Sequence, residues 1–188
     1  VQTSEAVPEQ EVSGITLVQL ADADEQTDAQ GKTDQKLPVV ETEVVGFSLK
    51  GERLWHKLDL FDLGVIQDET GARYLPLVDL LQELKVEHES DTGQIQFKLP
   101  EAATTIIQIA DRQLIVKNTS KKIHLIEAVS DISLQREVYI PAEILGDLLF
   151  MDISWDQSGY TFLATTQQFF PIWKREERES RFVKSQLK

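Results

Sequence analysis

Three histidines, His56, His88 and His124, are the residues of this chain best suited to hold a metal or move a proton. A helical zinc site needs two histidines four apart on one face, and no such pair occurs. They read as surface or strand histidines. Carboxylates come next. Asp22, Asp24, Glu25 and Asp28 crowd into "DADEQTD", a spacing that a hard cation could use. A calcium loop needs glycine at its sixth position for a sharp turn, and Thr27 stands there. The run reads as solvated linker. Paired acids for hydrolysis must face each other across a cleft. Asp91 and Asp156 both sit in turn-forming stretches, "DTG" and "DQSG", where aspartate bonds its own local backbone. No nucleophile elbow, phosphate-binding glycine loop or dinucleotide fingerprint is present. The chain has no cysteine, which removes thiolate metal sites, cysteine nucleophiles and disulfides together. The expectation is a protein that is not an enzyme and takes no cofactor.

Aromatic side chains carry more promise. Trp55, Trp155 and Trp173, with Tyr74, Tyr139 and Tyr160, could line a sugar-binding groove or a partner surface. Tyr74 and Tyr139 fall in matching sequence surroundings and read as core. Trp155 reads as half-buried. "FFPIW" sets Phe169, Phe170, Ile172 and Trp173 around a proline, a load hard to leave in water, and reads as an interface segment. The candidate binding residues are therefore Trp155, Tyr160, Phe169, Phe170 and Trp173.

The elements that must position these residues show in the patterning. The chain has 188 residues, is 41% hydrophobic and carries a formal net charge of −13. That is enough apolar content for a real core. The acidity disfavours nucleic acid and anionic membranes as partners. It is uneven, with ten acidic and two basic residues in 1–43, against six basic and three acidic from Lys174 onward. No stretch approaches the roughly 20 apolar residues that span a bilayer, so no membrane insertion of this segment is expected. The chain starts at Val1 without a basic-then-apolar leader, which fits a processed, exported chain.

Residues 1–38 read as an acidic linker, with "VSGITLVQL" (12–20) either an edge strand or a short sticky segment. Beyond it, one stretch occurs twice. "YLPLVDLLQELKVEHESDTGQIQF" begins at Tyr74, and "YIPAEILGDLLFMDISWDQSGYTF" begins at Tyr139, an offset of 65 without a gap. In each, a short strand ends at proline, which suits a helix's first turn. Leu77, Leu80, Leu81 and Leu84 then form one helical stripe, as do Ile144, Leu145, Leu148 and Leu149. Two strands about a tight turn follow. The predicted fold is α+β: two tandem repeats, 39–101 and 102–168, each a small, mainly antiparallel sheet with one helix packed on it. Residues 169–188 form the apolar segment and a charged helix or linker, with Glu177 and Arg181 spaced i, i+4.

With "VYIP", "LG" and "ISWD" in these places, the chain resembles the copper amine oxidase N-terminal-like domain family over roughly 44–164. The second copy carries the pattern best, with Ile153, Trp155 and Asp156 in the hairpin positions. Phe150 replaces the usual glycine before the hairpin strand, and Leu77 and Ala142 stand where an arginine often follows the proline. The resemblance implies a non-catalytic attachment on exported or cell-envelope proteins, in the periplasm or outside the cell, and carries over no functional residue. A weaker resemblance, a strand-rich head followed by "FFPIW", is to the periplasmic head of an outer-membrane usher-like or other β-barrel protein, which would continue past Lys188. The expected partners are another domain of the same full-length protein, an envelope protein or a glycan. A hydrolase domain whose acids the sequence does not single out, and a plain structural spacer, are the other readings.

Overall fold

A computed structural model describes residues 17–18, 36–52, 58–173 and 184–186. In chain order, β1 (Leu17–Val18), β2 (Val39–Val40), β3 (Glu43–Gly51), β4 (Leu58–Gln67) and β5 (Arg73–Pro76) precede helix α1 (Leu77–Glu83). Then come β6 (His88–Ser90), β7 (Gln94–Lys98), β8 (Thr104–Gln108), β9 (Gln113–Val116) and β10 (Thr119–Lys122). β11 (Ile126–Ser130) and β12 (Arg136–Pro141) lead into helix α2 (Ala142–Leu149), and the hairpin β13 (Met151–Asp156) and β14 (Thr161–Thr166) follows. The architecture is α+β and mostly strand. Within 12–20 the described residues Leu17–Val18 form β1, which adds to the edge at β2.

Proline sets both helix starts. Pro76 and Pro141 are extended and supply no amide, and each strand turns directly into its helix. The leucine stripe of α1 is wholly buried, as are Leu145, Leu148 and Leu149 of α2. Each such side chain contributes roughly 1.5–3 kcal/mol of hydrophobic stabilisation. α2 ends on Phe150, left-handed at φ 55°, whose amide bonds the Gly146 carbonyl. This is the conformation that glycine adopts at no cost.

Among the described residues the strands form two sheets, ordered β1-β2-β11-β12-β5-β4-β3-β14-β13 and β10-β9-β8-β7-β6. At the middle of the larger sheet β12 and β5 run antiparallel, pairing Tyr139 with Pro76, Ile140 with Leu75, and Pro141 with Tyr74. Leu75 and Ile140 are 65 residues apart, the offset between the two similar stretches, and face each other at this seam. Farther out the two stretches pair differently. The hairpin β13–β14 joins β3 in parallel, whereas β6–β7 joins β8 antiparallel.

The strands do not divide at residue 101 into one sheet per unit. The smaller sheet takes β6 and β7 from before that point and β8 to β10 from after it, and the larger sheet is mixed as well. Isolated hairpins are marginal in water, and sharing strands gives each hairpin an inner neighbour. One main core, from Val45 to Trp173, runs through both helices and both sheets. A second cluster gathers Val40, Ile66, Tyr74, Ala128 and Tyr139 around the central seam. Tyr74 and Tyr139 are thus core residues.

Candidate binding surface

The five candidate residues fall into two groups with opposite environments. Phe170 and Trp173 are 0% and 1% exposed. Their rings meet at 5.9 Å, and Phe169, half-buried, meets Trp173 at 6.2 Å. The Trp173 indole N–H donates to Asp59 on β4, and its ring lies against Gly51, where a side chain would collide with it. The segment is stitched down by Ile172 N–H to the Leu84 carbonyl (3.2 Å) and by Gln168 Nε2 to the Pro100 carbonyl (2.8 Å). The expectation of an interface segment here gives way to an internal plug. The apolar load that the sequence could not leave in water is taken up by this chain's own core, so Phe170 and Trp173 are not available to a ligand.

Trp155 and Tyr160 lie at the surface and together. Their ring centroids are 5.1 Å apart, edge to face, and Trp155 also meets buried Phe162 at 4.9 Å. The hairpin dictates this. Asp156 Oδ1 accepts from the Ser158 amide (3.1 Å) and hydroxyl (2.7 Å), the turn folds back, and Tyr160 takes φ 51° before β14 begins. The Ser158 hydroxyl and the turn amides hold the Asp156 carboxyl below its ordinary value. Asp91 does the same in the other hairpin, accepting from Gly93 N–H (2.7 Å) and Gln94 N–H (2.8 Å). Both aspartates are turn residues, as their sequence context implies.

Arg73, at the start of β5, joins Trp155 and Tyr160. Its guanidinium carbon lies 3.8 Å from the Trp155 ring centroid, a cation–π contact. The preceding turn sets it there. Asp68 Oδ1 accepts from the Thr70 amide (2.9 Å), the Thr70 hydroxyl (2.6 Å) and the Ala72 amide (3.0 Å), while Gly71 turns the chain at φ 85°. The Tyr160 hydroxyl donates to Glu43 on β3, and that bond, with burial and the Glu43 charge, raises the Tyr160 phenol above its usual range. Trp155 Nε1 donates to Gln157 Oε1 at 2.9 Å.

Two concavities complete the surface. A cleft of about 260 Å³ beside the central seam is lined by Asp79, Glu137, Ser130, Tyr139 and the exposed Val44 and Ile132. The Glu137 carboxylate accepts from Val78 N–H (2.8 Å) and Asp79 N–H (3.0 Å) at the start of α1, and from its own neighbour Val138 N–H (2.8 Å). Burial is the main reason its pKa rises to about 7, with a contribution from the Asp79 charge and opposition from the three amides. Burial and Glu83 raise Asp79. A wider groove of about 720 Å³ lies between β8–β10 and α2, lined by Leu114, Val116, Ile144, Leu148 and the exposed Phe150, with Lys117, Lys121, Glu101 and Asp147 around them.

Among the described residues no three of His, Cys, Asp and Glu are grouped so as to hold a metal ion. His88 Nδ1 lies 2.8 Å from the Val86 carbonyl, and the His124 ring meets Tyr74 at 5.6 Å. Trp55, His56 and Asp22–Asp28 lie outside the described residues, as do Glu177 and Arg181, while 184–186 form a single helical turn. No helix of the described residues is long and apolar enough to cross a membrane. Arg73, Glu43 and Glu137 carry no motif. At the 65-residue offset Arg73 falls on Val138 and Glu137 on Ala72, so these two place a charge where the similar stretch has an apolar residue. Compared with protein-family models, curated proteins and solved structures, the chain gives no match.

Proposed function

We propose that the chain is a non-enzymatic recognition module of an exported or cell-envelope protein, built from a duplicated α+β unit and binding a glycan or a neighbouring protein. The observation that carries the reading is the corner of Arg73, Trp155 and Tyr160, where an aromatic pair and a stacked guanidinium stand at the surface on a rigid sheet rather than within a closed pocket. Aromatic and arginine side chains are the usual energetic anchors of binding surfaces. The duplication is supported by the antiparallel pairing of Leu75 with Ile140 and by the same order of strand, proline, helix and hairpin on each side of it. The resemblance to the copper amine oxidase N-terminal-like domains favours the envelope setting. The usher-like resemblance would make the same module the periplasmic head of a β-barrel protein.

A glycan array probed with the 188-residue chain tests this reading. Binding that falls in both Trp155→Ala and Tyr160→Ala, while the fold is kept, supports it. Binding that neither substitution changes removes the corner from the reading.

A second reading, a domain of an envelope-polymer hydrolase, draws on Asp79 and Glu137, two carboxyls with raised pKa lining one cleft. Against it stand the three backbone amides that already occupy Glu137, the arrangement of a helix cap. Release of reducing ends from envelope polysaccharide, abolished by Glu137→Gln, would favour the hydrolase.

A further inference from the structure

We propose that Arg73, Trp155 and Tyr160 form a receptor for a single carboxylate carried on a sugar ring, a residue of the uronic acid class. The proposal rests on the recognition reading above and names its ligand.

Arg73 is an unusual arginine for so acidic a chain. The sequence holds 32 carboxylate side chains, yet among the described residues the one ion pair is Arg136 with Glu127, and Arg73 has none. Its Nε is buried and has no hydrogen-bond partner. Glu43, the acid beside this corner, is engaged by the Tyr160 hydroxyl instead. The guanidinium is nevertheless held, stacked 3.8 Å from the Trp155 centroid. Stacking fixes the plane of the fork; Nε lies beneath the surface, and the two terminal NH₂ groups are left to be satisfied from outside. A planar fork of this kind matches a carboxylate through two parallel hydrogen bonds.

Charge selects among anions. The chain as a whole is at −13, so a dianionic phosphate or a densely charged polymer meets long-range repulsion that a lone carboxylate largely escapes. The neighbouring groups point to a sugar as the carrier. Tyr160 is 38% exposed, and the turn at φ 51° presents its ring beside Trp155, a surface for the C–H face of a pyranose. Gln157 has its amide oxygen taken by Trp155 Nε1, which leaves its NH₂ to donate to a ring hydroxyl. A peptide's terminal carboxylate would use the fork and leave the other two groups idle.

The test is a titration of the 188-residue chain at low salt with a disaccharide of glucuronic acid and glucose, followed by calorimetry. The methyl ester of that disaccharide, the neutral glucose disaccharide, acetate and a short peptide with a free C-terminus are run in parallel. Binding of the acid disaccharide alone is expected. It should weaken about tenfold or more in Arg73→Gln, the loss of a charge-assisted bidentate pair. Arg73→Lys, which keeps the charge and loses the fork, should recover only part of it, and Tyr160→Ala should weaken the sugar without introducing acetate binding. Circular dichroism and a urea midpoint for each variant show that the fold is retained. Equal binding of the methyl ester, equal binding of acetate or the peptide, or an acid disaccharide indifferent to Arg73→Gln each overturn the proposal. If no uronic sugar binds while array binding remains dependent on Trp155, this inference fails and the recognition reading stands.

Discussion

Glu137 of β12 grips the first turn of α1 across the central seam, one carboxylate oxygen on the Val78 amide and the other on the Asp79 amide, at 2.8 and 3.0 Å. Pro76, at the cap position, has no side chain able to do this, and α1 has no cap of its own. A strand some sixty residues further along the chain thus finishes this helix. α2 has no side-chain cap, and Ala72, 65 residues before Glu137, has no group to supply one.

Burial of this carboxyl, which outweighs the opposing pull of the three amides, makes stability depend on pH in an unusual direction. Glu137 has a folded pKa of about 7 against 4.5 for a free glutamate, so the folded state holds its proton more tightly than the unfolded chain. Its contribution is fully present below about pH 4.5 and is lost as pH rises through 7, on the order of 3 kcal/mol in all. Asp68, Asp91 and Asp156 are shifted downward, and they remove stability only under more acidic conditions. Urea midpoints should therefore fall between pH 5 and 8, and Glu137→Gln should flatten that slope. A wild-type midpoint constant over this range would contradict the assignment.

The two surface-reading tryptophans should separate cleanly. Trp173→Ala opens a cavity beside Gly51 and Phe170 and should cost about 3–5 kcal/mol. Trp155→Ala removes a half-buried ring and should cost about 1–2 kcal/mol, leaving the chain folded. Guanidinium denaturation of both variants gives the comparison. Equal losses would mean that Trp173 is not the plug described.

Gly146 sits inside α2, where helix propensity alone favours alanine by about 1 kcal/mol. A Cβ there would stand 2.7 Å from the Met151 carbonyl oxygen, which is backbone and cannot swing aside. Gly146→Ala should therefore lower the melting temperature, with the clash outweighing propensity by about 1–2 kcal/mol. A rise in Tm would show that α2 and β13 can separate freely.

Leu75 and Ile140, paired at the seam, should be energetically coupled. Each substitution to alanine should cost about 2–5 kcal/mol, and the double variant should fall short of the sum by about 0.5–3 kcal/mol. A double-mutant cycle measures this. Strict additivity would mean that the two side chains do not share one environment.

Much of the local structure was legible in the residues. The leucine stripe of α1, the proline before each helix, and the alternation of Met151, Ile153 and Trp155 with Asp152 and Ser154 all read directly from spacing, because local periods carry them. What the spacing could not convey was partnership. Nothing in "EVVGFSLKG" says that its neighbour in the sheet is "TFLATT", because strand pairing is decided by packing over the whole chain. For the same reason "FFPIW" looked like a surface seeking a partner, since its apolar content was visible and the pocket at Asp59 and Gly51 was not. In the candidate site, Trp155 and Tyr160 drew notice as aromatics. Arg73 did not, because its role comes from stacking on a residue 82 positions away.

The parallel ladder between β3 and β14 sets Phe47 beside Phe162, one near the beginning of the folded region and the other near its end. A nascent chain therefore displays the edge of β3 for most of the time it takes to emerge, with its partner not yet delivered. Such long loop closure slows folding and leaves an unpaired edge open to wrong neighbours. Prompt arrival of the last third of the chain becomes part of what this topology demands.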